Sequence, residues 1–276
     1  GLARAITAGQ YPYLHDRGEV LSGLFPASVA LYRSVGFEIA GSYVHRRIPA
    51  QHLAALRPDR PVTVRRGTAD DVEAVHRCYD RLARRIDGPV TRSAYWWERF
   101  LPAALTDTIL YVVDHPAEPG ELDGYGFYRH GRARGPYDYS VVVAEVLAGE
   151  PDSLTSLWRV IGSSGSQAPE VEVLGAAEDP IFLILGAADP LAVRTELRWM
   201  ARLIDAAGAV EARGWNPTVQ GRVDLQICDE HAPWNDGAWQ RGVADGRGRL
   251  IRGGAGTVEV TIQGLSCWWT GYARAK

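Results

Sequence analysis

The segment Ser28–Phe37, with the sequence SVALYRSVGF, constrains the fold more than any other part of this chain. Its apolar side chains recur at the spacing of one helix face: Val29, Leu31, Tyr32 and Val35. Gly36 can adopt the left-handed conformation that commonly ends a helix, and the β-rich run 38–48 follows at once. The segment therefore predicts a short helix, a stop at Gly36-Phe37 and a strand. The phenol of Tyr32 is expected on the last helical turn, where it is well placed to give a proton to a leaving group.

The first residues of the chain form a second pattern. Gly1-Leu2-Ala3 opens an amphipathic stretch that predicts a helix over Leu2–His15. A Gly-x-Ala sequence at a helix start leaves the backbone N–H groups uncovered, and the helix dipole adds partial positive charge there. Helix starts of this kind bind pyrophosphate groups. The Leu-Tyr-x-x-x-Gly-Phe pattern that follows makes the combination more specific.

At 276 residues the chain is too long for one comfortable core, and its predicted elements fall into three blocks: 1–48, 49–188 and 189–276. The first block alternates helix and strand. The second begins with a strand at Val62–Arg66, continues with two helices, three strands and a helix, and closes with two strands, the last at Ile181–Leu185. The third begins with a helix at Leu191–Ile204 and a second helix, followed by four strands and a final helix. This order predicts an α+β protein.

Composition excludes several classes of protein. The formal net charge of −3 gives no electrostatic reason to expect a nucleic acid or an anionic membrane as partner. No segment approaches the run of about 18 apolar residues that a spanning helix needs, and no signal peptide is recognised. The three cysteines are scattered and odd in number, which predicts reduced thiols and a cytoplasmic location. Only Lys276 among the 30 basic residues is a lysine, so a Schiff-base or Walker-type lysine inside the chain is excluded.

Several segments resemble, in the right order, the Eis family of bacterial GNAT N-acetyltransferases. They are Leu31–Glu38 (LYRSVGFE), Ala201–Asp205 (ARLID), Ala212–Trp215 (ARGW) and Gly264–Gly271 (GLSCWWTG). The resemblance implies an α+β chain in three parts. Residues 1–48 would be the C-terminal part of a catalytic GNAT domain, 49–188 a second, degenerate GNAT domain, and 189–276 a sterol-carrier-protein-like α/β domain. We interpret the chain as a fragment that lacks the start of the first domain and the end of the last.

The same resemblance implies an activity. Members of the family transfer acetyl from acetyl-CoA, used as co-substrate without a metal, to a primary amine of aminoglycoside or lysine type by direct attack. Tyr32 would be the general acid that protonates the CoA thiolate. Gly1, Leu2 and Ala3 would be the surviving part of the pyrophosphate loop, and Ser28 would contact the CoA arm. The family assembles as hexamers built from two trimers, so a homo-oligomer is expected, and the fragment alone is expected to be inactive.

Two roles stay open at this stage. The family uses its terminal carboxylate as general base, but Lys276 is not assigned to that role, and the acceptor amine is unknown.

In the second block the segment Ala148–Asp152 has acids and no arginine where a pyrophosphate would need donors. Arg132–Gly135 has suitable residue types but is predicted to be a surface turn. The second block is therefore expected to lack acetyl-transfer chemistry.

Each candidate residue also has a plainer interpretation. Tyr32 could be a core tyrosine with a satisfied hydroxyl, and His15 is more simply a histidine that meets a helix C-terminus than a base. Cys228 and His231 have metal-like spacing but do not complete a zinc site. The tryptophan pairs at 96–97 and 268–269 resemble ligand cages, although such pairs more often pack a core or an interface.

Two non-enzymatic functions remain as alternatives. The third block could carry an apolar ligand, or the second and third blocks could serve as an oligomerisation scaffold. Polar residues on the predicted strands argue against a lipid tunnel: Asp224, Gln226, Glu259 and Thr261.

Overall fold

The computed structural model describes residues 1–86, 88–133, 139–177, 179–185 and 192–273, with side chains left out at 100–106 and 192. The described helices are α1 (Leu2–Gly9), α2 (Tyr11–Asp16), α3 (Val29–Arg33), α4 (Ala50–Ala54), α5 (Val72–Ala83), α6 (Ala94–Asp107), α7 (Pro151–Gly162), α8 (Ile181–Leu185), α9 (Ala206–Ala212) and α10 (Ile262–Thr270). The described strands are β1 (Leu21–Leu24), β2 (Glu38–Pro49), β3 (Arg65–Arg66), β4 (Ile109–Asp114), β5 (Leu122–His130), β6 (Val141–Ala148), β7 (Glu170–Ala176), β8 (Ala192–Leu203), β9 (Gly221–Cys228), β10 (Gly237–Ala244), β11 (Arg247–Arg252) and β12 (Val258–Thr261).

The chain forms two compact units, and the second is inserted into the sequence of the first. Unit 1 contains Gly1–Ser42 and Leu197–Lys276, and unit 2 contains Tyr43–Glu196. Both units combine helices with strands in parallel and antiparallel pairs, so the predicted α+β class is confirmed. The predicted division at 48 and 188 stays a prediction.

In unit 1, β1 pairs antiparallel with the end of β8, so that Leu21 lies opposite Leu203. A separate sheet has the order β11-β10-β9-β12, with β12 parallel to β9. Apolar side chains from this sheet, α9 and α10 form one buried cluster, which includes Leu225, Ile227 and Trp239. A second buried cluster lies around the candidate site: Tyr11, Val35, Phe37, Ile39, Met200 and Ile204.

In unit 2, the sheet has the order β2-β7-β6-β5-β4-β3. Its neighbours are antiparallel except for β6 and β7, which are parallel from Val141 opposite Val171. One buried cluster contains residues of α4, α7 and the sheet, and another contains residues of α5, α6, β4 and β5. Each unit therefore has its own hydrophobic core.

The helix predicted over Leu191–Ile204 is wrong, because Ala192–Leu203 is strand β8. Its residues include strong helix formers such as leucine, glutamate, methionine and alanine, which favour a helix locally. However, charged residues occupy every second position from Arg194 to Arg198, as on one face of a strand. Pairing of Met200–Leu203 with β1 then satisfies the backbone of this segment in extended form.

The strand predicted at Ile181–Leu185 is also wrong, because these residues form helix α8. A short apolar run does not distinguish a strand from a buried helix. Here the side chain of Asp179 accepts a hydrogen bond from the Ile181 N–H at 2.9 Å, and the Phe182 N–H bonds to the Asp179 carbonyl at 3.1 Å. These hydrogen bonds of Asp179 favour a helix start at this point.

Two further elements differ in extent from their prediction. The helix predicted over Leu2–His15 is divided at Gln10 into α1 and α2, and Pro12 lies in the first turn of α2. Proline has no N–H to continue a helix but fits a first turn. Of the strand predicted at Val62–Arg66, only Arg65–Arg66 pairs with a neighbour.

Candidate active site

The predicted helix, stop and strand around Tyr32 are confirmed. Ser28 caps α3, with its Oγ accepting a hydrogen bond from the Leu31 N–H at 3.4 Å. At the other end, the Phe37 N–H bonds to the Tyr32 carbonyl and the Gly36 N–H to the Arg33 carbonyl, each at 3.1 Å. Gly36 has φ +95°. These two bonds around a left-handed glycine form a Schellman motif, which explains why the helix ends here.

The ring of Tyr32 belongs to this motif. It contacts the Phe37 ring edge to face, with ring centres 5.7 Å apart, and lies half-buried against the cluster that contains Val35. A contact between these two positions commonly accompanies a Schellman motif. Among the described residues the Tyr32 hydroxyl has no hydrogen-bond partner. This differs from a core tyrosine with a satisfied hydroxyl and leaves the phenol available as a donor.

The start of α1 contains the residues predicted to bind a pyrophosphate. Gly1 is the N-cap residue, and no described side chain caps this helix. Leu2 is 78% exposed. The first N–H groups of a helix have no partner inside it, so uncapped ones can bind an anion. The role of Gly1, Leu2 and Ala3 as a pyrophosphate site stays a prediction.

His231 links the start of α1 to the end of α3. Its Nε2 lies 3.5 Å from Nη2 of Arg4, in the first turn of α1, and 3.1 Å from the carbonyl oxygen of Ser34, directly after α3. In one tautomer Nε2 donates to Ser34, and in the other it accepts from Arg4. In addition, Nε2 of Gln263 donates to the Arg33 carbonyl at 3.0 Å. The two predicted segments thus meet around one imidazole.

A buried ion pair beneath α3 was not predicted. Arg202 is fully buried, and its Nη2 donates to both carboxylate oxygens of Asp229 at 2.8 and 2.9 Å. Asp229 also accepts the backbone N–H groups of His231 and Ala232. A Cβ on Gly36 would lie 1.5 Å from Nη1 of Arg202, so the guanidinium occupies the space that only a glycine leaves. The network therefore connects the stop after α3 with the residue that binds Ser34.

Tyr11 completes this network from α2. Its hydroxyl donates to the Val35 carbonyl at 2.6 Å, and the guanidinium carbon of Arg202 lies 4.2 Å from its ring centre. Burial raises the pKa of Tyr11 to about 12, although Arg202 opposes the shift. The phenol therefore keeps its proton as a donor. No local pattern indicated these partners, because Arg202 and Asp229 lie far apart in sequence.

The other candidate residues lie apart from this network or outside the described residues. The ring of His15 contacts that of Trp234 in a tilted arrangement, with ring centres 4.4 Å apart. Cys228 contacts Glu259 at 3.8 Å, whereas the His231 ring meets Ser34. In the part of the chain that the structure describes, no three His, Cys, Asp or Glu side chains are grouped as metal ligands. Lys276 and part of the turn predicted at Arg132–Gly135 lie outside the described residues.

In unit 2 the start of α7 is acidic. Glu150 is the N-cap residue of α7, Pro151 supplies no N–H, and Asp152 lies in the first turn. The carboxylate of Asp152 accepts the Asp59 N–H at 2.8 Å and contacts Nε of Arg60 at 3.3 Å. Carboxylates at this position disfavour a bound pyrophosphate. Whether the second block lacks a pyrophosphate loop stays a prediction.

Comparison with known proteins supports two domains. Residues 88–203 match the family model of an acetyltransferase (GNAT) domain, and residues 206–276 match that of a sterol carrier protein domain. The chain thus contains a GNAT domain and a sterol-carrier-protein-like domain. No curated protein sequence matches the chain.

Solved structures resemble the whole chain. A GCN5-related N-acetyltransferase from Kribbella flavida is 28% identical, with a TM-score of 0.77, over 96% of this chain and 64% of that protein. One from Anabaena variabilis is 23% identical, with a TM-score of 0.85, over 97% and 67%. Eis1 from Mycobacterium abscessus is 22% identical, with a TM-score of 0.75, over 98% and 69%. At these identities, the last two likenesses show the fold alone. The chain spans about two thirds of the length of these proteins.

No described helix has the length and apolar character to cross a bilayer.

Proposed function

We propose that this chain is part of an N-acetyltransferase that moves acetyl from acetyl-CoA to a primary amine of aminoglycoside or lysine type. The amine nitrogen attacks the thioester carbonyl and forms a tetrahedral intermediate. The C–S bond then breaks, the sulfur takes the hydroxyl proton of Tyr32 to leave as free CoA, and the proton that the nitrogen loses as the amide forms restores the phenol. The observation that supports this role is the half-buried phenol, fixed by its ring at the end of α3 and without a partner among the described residues.

Acetyl-CoA binding is proposed to use the two helix starts of unit 1. The pyrophosphate would accept hydrogen bonds from the backbone amides at Gly1, Leu2 and Ala3, and the CoA arm would pass Ser28. The linkage through His231 supports this proposal because it joins the first turn of α1 to the end of α3. An amine with a pKa near 10 must lose a proton before attack, and the base that removes it is left unassigned.

Tyr32→Phe tests the proposal. It removes the hydroxyl and keeps the ring that contacts Phe37, so the helix end stays intact. In the full-length protein we expect kcat for acetyl transfer to amines to fall about 100-fold or more, with acetyl-CoA affinity by calorimetry unchanged. Tyr13→Phe, at an exposed tyrosine of the same unit, is the matched control and should leave kcat unchanged. An unaltered kcat in Tyr32→Phe would remove this residue from the mechanism, and absent acetyl-CoA binding would refute the activity itself.

Carriage of an apolar ligand is a second candidate, favoured by the match of residues 206–276 to a sterol carrier protein domain. Large side chains fill the described interior of that domain, including Trp239, Leu225 and Leu250. Lipid that co-purifies with the protein, detected by mass spectrometry, together with absent acetyl-CoA binding would favour the carrier.

The Eis resemblance also leads us to propose a cytoplasmic homo-oligomer, trimer or hexamer, in which units of the chain act as scaffold. Light scattering of the full-length protein tests that assembly.

A further inference from the structure

Three aromatic rings surround the guanidinium of Arg92 in unit 2. Its central carbon lies 3.7 Å from the ring centre of Tyr79, 4.2 Å from that of Trp96 and 5.2 Å from that of Trp97. Trp97 meets Trp96 edge to face at 4.9 Å and Tyr79 at 5.6 Å. Rings at these distances attract a cation through their electron-rich faces. The tryptophan pair at 96–97 is thus part of an aromatic cage around the Arg92 guanidinium.

A carboxylate completes the cage. Glu145 accepts from Nη1 of Arg92 at 3.1 Å and from Nη2 through its other oxygen. The Tyr125 hydroxyl donates to Glu145 at 2.5 Å, and burial raises the pKa of Tyr125 well above its ordinary value, so that it keeps this proton. A two-oxygen contact with planar N–H donors is the preferred geometry for guanidinium recognition. We call Tyr79, Trp96, Trp97 and Glu145 the cation box.

Arg92, the group in the cation box, belongs to an irregular segment. Residues 88–93 form neither helix nor strand, and most of them are exposed. The Tyr79 hydroxyl donates to the Val90 carbonyl at 2.7 Å, and Ser93 caps α6. The side chains of Arg92 and Glu145 are 15% and 22% exposed, so the box reaches the surface. Withdrawal of Arg92 would break no strand pairing.

We propose that the cation box is a binding site for an alkylguanidinium group, such as an arginine side chain, and that Arg92 is its intramolecular occupant. The rings and the carboxylate recognise the flat cation, not the backbone of Arg92, so another guanidinium of the same shape fits the same contacts. Because Arg92 is tethered beside the box, it competes at high effective concentration, and a free ligand binds weakly until the tethered side chain leaves.

Arg92→Ala tests this proposal with ethylguanidinium as the probe and neutral ethylurea as its control. We expect Arg92→Ala in the full chain to bind ethylguanidinium at least tenfold more tightly than the unmodified protein does, measured by calorimetry at millimolar concentrations. Ethylurea should not bind, and Arg92→Ala combined with Glu145→Gln should lose the gain. Arg77→Ala is the matched control, since Arg77 pairs with Glu121 outside an aromatic cage and its removal should create no site.

Binding that is absent in Arg92→Ala, equal in the unmodified protein, or equal for ethylurea would overturn the proposal. If Arg92→Ala is too unstable for calorimetry, its thermal midpoint provides the readout. Millimolar ethylguanidinium should then raise the midpoint and ethylurea should not, and equal responses to both compounds would again overturn it. These outcomes do not depend on acetyl transfer.

Discussion

Gly36 shows how one residue connects a helix end with a buried charge. Its φ of +95° suits glycine, and the Arg202 guanidinium fills the space beside it. Arg202 in turn has one carboxylate partner, Asp229, while its Nε and Nη1 have no acceptor among the described residues. Unpaired buried donors are costly, so the position of this guanidinium depends on the ion pair remaining intact.

Gly36→Ala should lower the free energy of unfolding by about 3 kcal/mol or more, because it adds backbone strain and displaces a buried ion pair. Gly18→Ala is the matched control. Gly18 has φ +74° with open space around its missing Cβ, so only the backbone strain of about 1 kcal/mol applies. Urea denaturation measures both variants, and equal losses would contradict the role assigned to Arg202.

Tyr11 predicts a dependence of stability on alkaline pH. An unfolded tyrosine ionises near pH 10, whereas burial raises the pKa of folded Tyr11 to about 12. The folded state therefore binds more protons between these values, and the stability that this group contributes is present below pH 10 and lost as pH rises toward 12. The loss should amount to about 2 to 3 kcal/mol.

Denaturation curves from pH 9 to pH 12 check this prediction. Tyr11→Phe should be less stable at neutral pH, because the hydrogen bond to Val35 is lost, but should show a flatter decline above pH 10. Tyr13→Phe, at an exposed position, should follow the unmodified protein. A decline of equal slope in Tyr11→Phe would mean that other groups cause it.

At the scale of elements, local signals predicted some helices and strands and failed for others. The end of α3 was predictable because a Schellman motif depends on residues within one turn of each other. The strand β8 was not, because its extended form is decided by pairing with β1, far away in sequence. Helix α8 is an intermediate case, since Asp179-Pro180 is a local start signal, but a five-residue apolar run suits a strand equally well.

Asp205 permits a test of a local signal at the end of β8. Its Oδ1 accepts the N–H groups of Ala207 and Gly208 at 3.0 and 3.1 Å, which caps α9. Asp205→Ala should lower the free energy of unfolding by about 1 kcal/mol, whereas Asp205→Ser should retain most of it, since serine also caps helices well. Chemical denaturation distinguishes the two, and similar losses in both would show that the cap contributes little.

At the scale of the whole molecule, the compact units do not follow the order of the sequence. Residues 1–42 and 197–276 share unit 1, and the chain between them forms unit 2 with its own buried clusters. The α+β class was predictable because element types follow from periodicity and turn residues. The interleaving was not, because it depends on which distant strands pair.

The sequence by itself determined the helix that presents Tyr32 and its stop at Gly36. Each of these follows from sterics and hydrogen bonds within a few residues. Only the tertiary structure decided that Arg202 lies against Gly36 and pairs with Asp229. It also decided that His231 contacts α1 and the end of α3, and that Arg92 lies inside a cage of aromatic rings. Such contacts join residues far apart in the chain, and local propensities contain no information about which distant partners satisfy a buried charge.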